Sequence, residues 1–141
     1  PMALAIIGGL PERFKPFTEL HRRAAAEAGR EPPRLSINSH GYVADTAQHA
    51  LDESFPYVSE AMNRIGRERG WPPMSRADYD AAAELRGATF VGTPDQVLAK
   101  LRAYQAEGIE AFILSGYPHM QEADMFARYV LPHIEHGPLV L

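Results

Sequence analysis

Apolar positions fall into two kinds of pattern along the chain. Residues 2–9 form an apolar run that ends in a glycine pair, as expected of a strand buried on both faces and closing in a tight turn. Pro11 and Glu12 open a segment in which Phe14, Phe17, Leu20, Ala24 and Ala28 recur every three or four residues; it stops at Gly29, before Pro32 and Pro33, and predicts a helix. Residues 35–43 form a second strand. Asp45 or Thr46 can then cap a long helix whose stripe is Leu51, Phe55, Val58, Met62 and Ile65, with a kink expected at Pro56.

Gly-Trp-Pro-Pro-Met at 70–74 breaks that helix, and Ser75 followed by Asp78 reads as the cap of a short helix reaching about Leu85. After a short strand at 88–91, Thr93-Pro94-Asp95-Gln96 supplies an N-cap, a proline at the first helical position, an acid, and a capping-box glutamine. The buried face of this helix is expected to be Val97, Leu101 and Tyr104, with Gly108 ending it. Residues 111–115 form the last strand, and a final helix spans about 120–131, stopped by Pro132. Strands followed by long helices predict an α/β fold with parallel strands joined by right-handed crossovers. Residues 1–141 read as a single domain with an insertion at about 70–87. A complete (β/α)8 barrel needs eight strands and about 250 residues. Three main strands and a short one therefore point to a piece of a barrel, with a small open sheet as the other option.

Composition narrows the function classes. With 45% hydrophobic and 23% charged residues in 141, the chain can bury a core. Its net charge of -4 and lack of a long basic cluster argue against nucleic acid. No apolar run approaches the roughly 20 residues needed to cross a bilayer, so a cytoplasmic location is expected and a membrane is not. The absence of cysteine removes disulfides, thiolate metal sites and a cysteine nucleophile.

Candidate chemistry sits on two strands. Alternation along 35–43 puts Leu35, Ile37, Ser39, Gly41 and Val43 on one face and Ser36, Asn38, His40 and Tyr42 on the other. A parallel strand covered on both sides is normally apolar throughout, so Asn38 and His40 on a common face call for partners or a ligand. A backbone carbonyl or a water would also satisfy His40. Ser115-Gly116-Tyr117-Pro118-His119 leaves the carboxyl edge of the last strand, where binding groups gather in α/β proteins. Tyr117 can donate to a developing oxyanion and His119 can relay a proton; the plainer reading is a turn with Pro118 at the first position of the next helix. Gly8-Gly9 before Pro11 offers a weak anion-binding turn, and Arg86 a mobile cation or a plain surface arginine. His133 and His136 have the spacing of a metal pair but lie in what reads as a solvated tail, so no metal is expected.

These residues also carry a family resemblance. Val-Gly-Thr-Pro-Asp-Gln-Val at 91–97, Glu-Gly-Ile at 107–109 and Phe-Ile-Leu-Ser-Gly-Tyr-Pro-His at 112–119, followed by Glu122-Ala123, resemble the end of the alkanesulfonate monooxygenases. Ala-Ile-Ile-Gly-Gly at 5–9, Ser-His-Gly-Tyr-Val-Ala-Asp at 39–45 and Gly-Arg-Glu-Arg-Gly-Trp-Pro-Pro-Met at 66–74 resemble a related branch of luciferase-like oxidoreductases. The resemblance implies the C-terminal portion of a (β/α)8 TIM barrel that uses reduced FMN, delivered by a separate flavin reductase, and dioxygen on a small organic substrate such as an alkanesulfonate. It puts His40 and Tyr117 in catalytic positions and Arg86 toward substrate; Asn38 and His119 are further substrate-binding candidates, and Ser115 and Gly116, at the end of the last strand, are candidates for the cofactor. Asn38 stands where those monooxygenases carry an arginine, which removes a bidentate partner for a sulfonate. The family's flavin-phosphate loop lies upstream of the matched stretch, so the isolated chain is expected to be inactive and to bind FMN weakly. Open strand edges predict a homo-oligomer or pairing with a missing half. Two other readings remain: a non-catalytic assembly or binding module derived from this barrel, and a deazaflavin-dependent oxidoreductase.

Overall fold

A computed structural model describes residues 4–7, 10–85 and 89–137. Its element order is β1 (Leu4–Ile7), a 3-10 turn (Pro11–Arg13), α1 (Lys15–Glu27), β2 (Leu35–Val43), α2 (Ala47–Arg69), α3 (Arg76–Leu85), β3 (Phe90–Gly92), α4 (Pro94–Ala106), β4 (Ala111–Ser115) and α5 (His119–Tyr129), then a 3-10 turn (Leu131–His133). All four strands are parallel, and β2 is the hub. It pairs with β1 along its first half, with β4 from Ser36 to His40, and with the short β3 from Gly41 to Val43. Parallel neighbours joined through helices are what the sequence order requires.

The main core lies between one face of this sheet and the helices. Leu35, Ile37 and Val43 from β2 meet Phe14, Phe90, Val97, Leu101, Tyr104 and Val130. Tyr104 is fully buried and stacks edge-to-face on Phe14 with ring centroids 5.4 Å apart, with Phe90 at the same distance. Burial pushes its phenol pKa up to about 12. The expected buried face of α4 is present, with Leu98 added to Val97, Leu101 and Tyr104. The helix begins in a capping box: the Gln96 amide donates to the Thr93 hydroxyl at 3.4 Å, and the Thr93 amide donates to Gln96 Oε1 at 3.0 Å.

Several local expectations are corrected. The segment opened by Pro11 starts as a 3-10 turn, and α1 proper begins at Lys15. Of the expected stripe Phe14 is buried, but Phe17 and Leu20 are 56% and 52% exposed, and Thr18 and Ala25 are buried instead. The buried stripe lies beside the expected one on the same helix and carries the smaller side chains; the Thr18 hydroxyl is satisfied by donating to the Lys15 carbonyl at 3.0 Å.

On α2 the buried stripe is Ala50, Ser54 and Val58, and Ile65 is exposed. Thr46, not Asp45, caps α2 by accepting from the His49 amide at 3.1 Å. The helix ends at Gly70, whose φ of 68° is a left-handed C-cap open to glycine. Ser75 and Asp78 hydrogen-bond to each other at the start of α3. There, Tyr79 bonds Ser54 at 2.6 Å and joins Tyr42 and Val58 in a second apolar cluster. Gly8, Gly9 and Arg86 lie outside the described residues.

Candidate functional site

The other face of β2 is unlike the core face. Ser36 and Tyr42 are buried at its two ends, and Asn38 and His40 between them are exposed. Register places His40 beside Ser115, the last residue of β4, and Asn38 beside Ile113. The chain then turns through Tyr117 and Pro118 into α5, bringing Tyr117 back over the carboxyl ends of both strands. Pro118 is the N-cap residue of α5 rather than its first helical residue, and His119 takes that first position. The His119 ring nitrogen is bonded to the Gly116 carbonyl.

A hollow of ≈ 600 Å³ opens at this edge, lined by His40 and Tyr42 from β2, Tyr57 and Arg64 from α2, and Ser115, Gly116, Tyr117 and His119 from the β4–α5 turn. Tyr117 packs on Tyr57 with ring centroids 4.8 Å apart and edge-on against His119 at 5.3 Å. Five residues singled out by sequence pattern and resemblance, His40, Ser115, Gly116, Tyr117 and His119, therefore share one cavity. Asn38 lies on the same strand face, two residues back along β2, and is not part of that lining. A larger hollow of ≈ 890 Å³ runs between β4, α4 and α5; Ser115, Gly116 and His119 line it as well, among packing residues such as Leu101, Phe112, Leu114 and Phe126, but neither His40 nor Tyr117 does. The smaller cavity carries the convergent polar groups that a binding site needs.

Two buried ionisable groups support the turn from beneath. Tyr42 is 2% exposed and the Tyr117 backbone amide is hydrogen-bonded to its phenol; burial outweighs that bond, and the pKa is raised above the ordinary tyrosine value. Glu122, 7% exposed on α5, accepts from the Val43 amide at 3.4 Å. Its carboxyl is also raised, first by burial and further by the charge of Glu53, with the Val43 bond opposing. Gly116 fits between these elements because it has no Cβ. An added Cβ would meet the Gly41 carbonyl and come within 2.8 Å of the Glu122 Cβ. Protein atoms account for the missing Cβ at Gly116; both members of the expected cofactor pair line the hollow, Ser115 the more exposed of the two.

Sequence reading misses Tyr42, Tyr57, Arg64 and Glu122. Tyr57 and Arg64 lie seven residues apart on one helix, the spacing of a shared face, and that is the one signal pointing to them. No such spacing links Glu122 to Val43.

The family model for luciferase-like monooxygenases matches residues 3–111, three quarters of the chain and the whole of β2. The chain belongs to the luciferase-like monooxygenase family. A sulfoquinovose monooxygenase of Novosphingobium aromaticivorans is 92% identical over 53 residues, which are 38% of this chain and 15% of that protein. Among solved structures, the oxygenating constituent of 3,6-diketocamphane monooxygenase from Pseudomonas putida, in complex with FMN, matches with TM-score 0.64 and 22% identity over 93% of this chain and 42% of that one. The coenzyme F420-dependent tetrahydromethanopterin reductase of Methanopyrus kandleri matches with TM-score 0.66 and 16% identity, covering 94% and 45%. At such identities these two report the fold: the four parallel strands and their helices are part of the luciferase-like TIM barrel. The chain spans less than half of each protein compared. No helix among the described residues is long and apolar enough to cross a membrane.

Proposed function

We propose that this chain forms one wall of the active site of an FMN-dependent monooxygenase acting on a small organic substrate, an organosulfonate being the class the relatives favour. The observation that carries the reading is the β2–β4 register, which sets His40 against Ser115 so that Tyr117 faces the same hollow. His40 is the group to hold or move a proton, since an imidazole can donate from one ring nitrogen and accept at the other. Tyr117, half exposed and braced by Tyr57, is the donor for an oxyanion as it develops. His119, on the Gly116 carbonyl, presents its other ring nitrogen toward substrate, with Asn38 and Arg86 as further substrate contacts. The hydroxyl of Ser115 and the tyrosine faces suit the edge and plane of a flavin ring; when bound, reduced FMN supplies the activation of dioxygen. A flavin reductase as partner, self-association and a cytoplasmic location belong to the same proposal.

The test is complementation: the chain is mixed with the amino-terminal half of the Novosphingobium sulfoquinovose monooxygenase, FMN and a reductase, and sulfite release from a sulfonated sugar is followed. The isolated chain should show weak flavin binding and no turnover. In the complemented barrel, His40→Ala and Tyr117→Phe should each lower kcat by about 10²-fold or more, the usual range for a proton-transfer or oxyanion group. Wild-type rates in both variants would remove the assignment, and binding of F420 in place of FMN would move it to the deazaflavin branch.

A further inference from the structure

The wall that α2 contributes to the hollow has an organisation that the roles above leave unused. Tyr57, Ala61 and Arg64 follow one another at spacings of four and three, so they form one stripe on the helix, and all three line the cavity. Ala61 is small and leaves room between the phenol and the guanidinium. Arg64 is the only lysine or arginine lining the cavity among the described residues. Its ion-pair partner is Glu60, one turn earlier at 3.4 Å, with the two side chains 71% and 73% exposed. An exposed pair of this geometry is weak, so an oxyanion offering a guanidinium two parallel hydrogen bonds can displace the carboxylate. Glu60 also lines the cavity, so an anion bound there takes the carboxylate's place on the guanidinium rather than adding to the pair.

The rest of the hollow completes a division of labour. Tyr57 and Tyr117 present ring surface for a carbon skeleton, and His40 lies across from α2 on the strand. Asn38, the other exposed polar residue on that strand face, is neutral. Resting on the monooxygenase reading, we propose that Arg64 anchors the anionic end of the substrate, an organic tetrahedral oxyanion of the sulfonate class. It holds the sulfonate end of the molecule within the hollow that His40 and Tyr117 share and thereby selects charged substrates over neutral ones. The same chemistry would suit a phosphate, including that of a flavin, and the two sources are separable.

The isotope-labelled chain is titrated with methanesulfonate, with dimethyl sulfone as its uncharged counterpart, and with inorganic phosphate, at constant ionic strength. Tyr117 amide and Arg64 Nε resonances are read out. Methanesulfonate should shift both and dimethyl sulfone neither. Arg64→Gln should weaken methanesulfonate binding about tenfold or more, and Arg64→Lys by less, because lysine keeps the charge and loses the fork. Arg128→Gln, which removes an exposed arginine paired with Asp124 on α5, should leave affinity unchanged. Circular dichroism confirms that each variant is folded. Equal affinity in Arg64→Gln and wild type, or equal losses in the Arg64 and Arg128 variants, would overturn the anchor. Phosphate binding tenfold tighter than methanesulfonate through Arg64 would reassign the group to the cofactor and overturn its substrate role. None of these readouts uses turnover, so they fail or succeed apart from the His40 and Tyr117 test.

Discussion

The two faces of β2 carry opposite kinds of residue and serve opposite ends. On one, Leu35, Ile37 and Val43 are sealed by α4 and the aromatic trio Phe14, Phe90 and Tyr104. On the other, Tyr42 is covered by α2 and α3 while Asn38 and His40 remain exposed. A face closed by apolar packing is bound tightly to stability, and its side chains have no access to a substrate. A face closed only at its two ends keeps donors available between them, at the cost of desolvated ionisable groups such as Tyr42 and Glu122 at the boundary. Equal truncations on the two faces should therefore have very unequal consequences.

The largest difference is expected from the core side. Phe90→Ala removes a fully buried ring that touches Tyr104 and Phe112, and should cost about 3–5 kcal/mol. Asn38→Ala on the exposed face should change stability by no more than about 0.5 kcal/mol. Denaturant melts of the two variants decide this; comparable losses would mean that the polar face is also a packed core.

Next in size is the seam between the faces. Gly116→Ala places a methyl against the Gly41 carbonyl and the Glu122 side chain. Backbone on one side cannot yield as a flexible side chain does, so the substitution should cost about 1–3 kcal/mol and displace the Tyr117 amide resonance. A variant as stable as wild type with an unmoved amide would show that the β4–α5 turn is not held by this contact. Smaller again is the cap of α4, which serves the core face alone: Thr93→Ala should cost about 1 kcal/mol in thermal or denaturant melts and leave the Tyr117 resonance in place.

Legibility divides along the same line. Local signals are strong where one segment decides its own structure: the capping box at Thr93, the Ser75–Asp78 cap, the bounds of β2 and β4, and the His40 face all follow from short-range pattern. Periodicity is a poorer guide to which of two adjacent stripes is buried. On α1 it favours the larger residues Phe17 and Leu20, whereas Thr18 and Ala25 are the ones buried. The site is half visible. Alternation and the strand-end motif point to His40 and Tyr117, but the return of α2 over the strand ends is a tertiary event, and Tyr57 and Arg64 enter only through it. Glu122 meets Val43 across 79 positions of chain, a contact no local pattern encodes.

That contact gives the finest probe of the boundary between the faces. Burial raises the Glu122 pKa above its ordinary 4.5, so the folded state holds this proton more tightly than the unfolded chain does. Its contribution to stability is then fully present below about pH 4.5 and is lost as pH rises through the folded value. The exposed carboxyls of Asp45, Asp52 and Asp78 act in the opposite sense: each is lowered, chiefly by a side-chain hydrogen bond, from His49, Arg76 and Ser75 respectively. Whole-protein pH profiles mix the two, and the difference between wild type and Glu122→Gln separates them. The glutamine carbonyl can still accept from the Val43 amide but carries no charge to desolvate. The variant should therefore gain stability relative to wild type as pH rises from about 4 toward 7, with the Tyr117 amide unmoved. A difference that stays flat with pH would mean that Glu122 is solvated when ionised, and that the boundary between the two faces lies deeper than the β4–α5 turn.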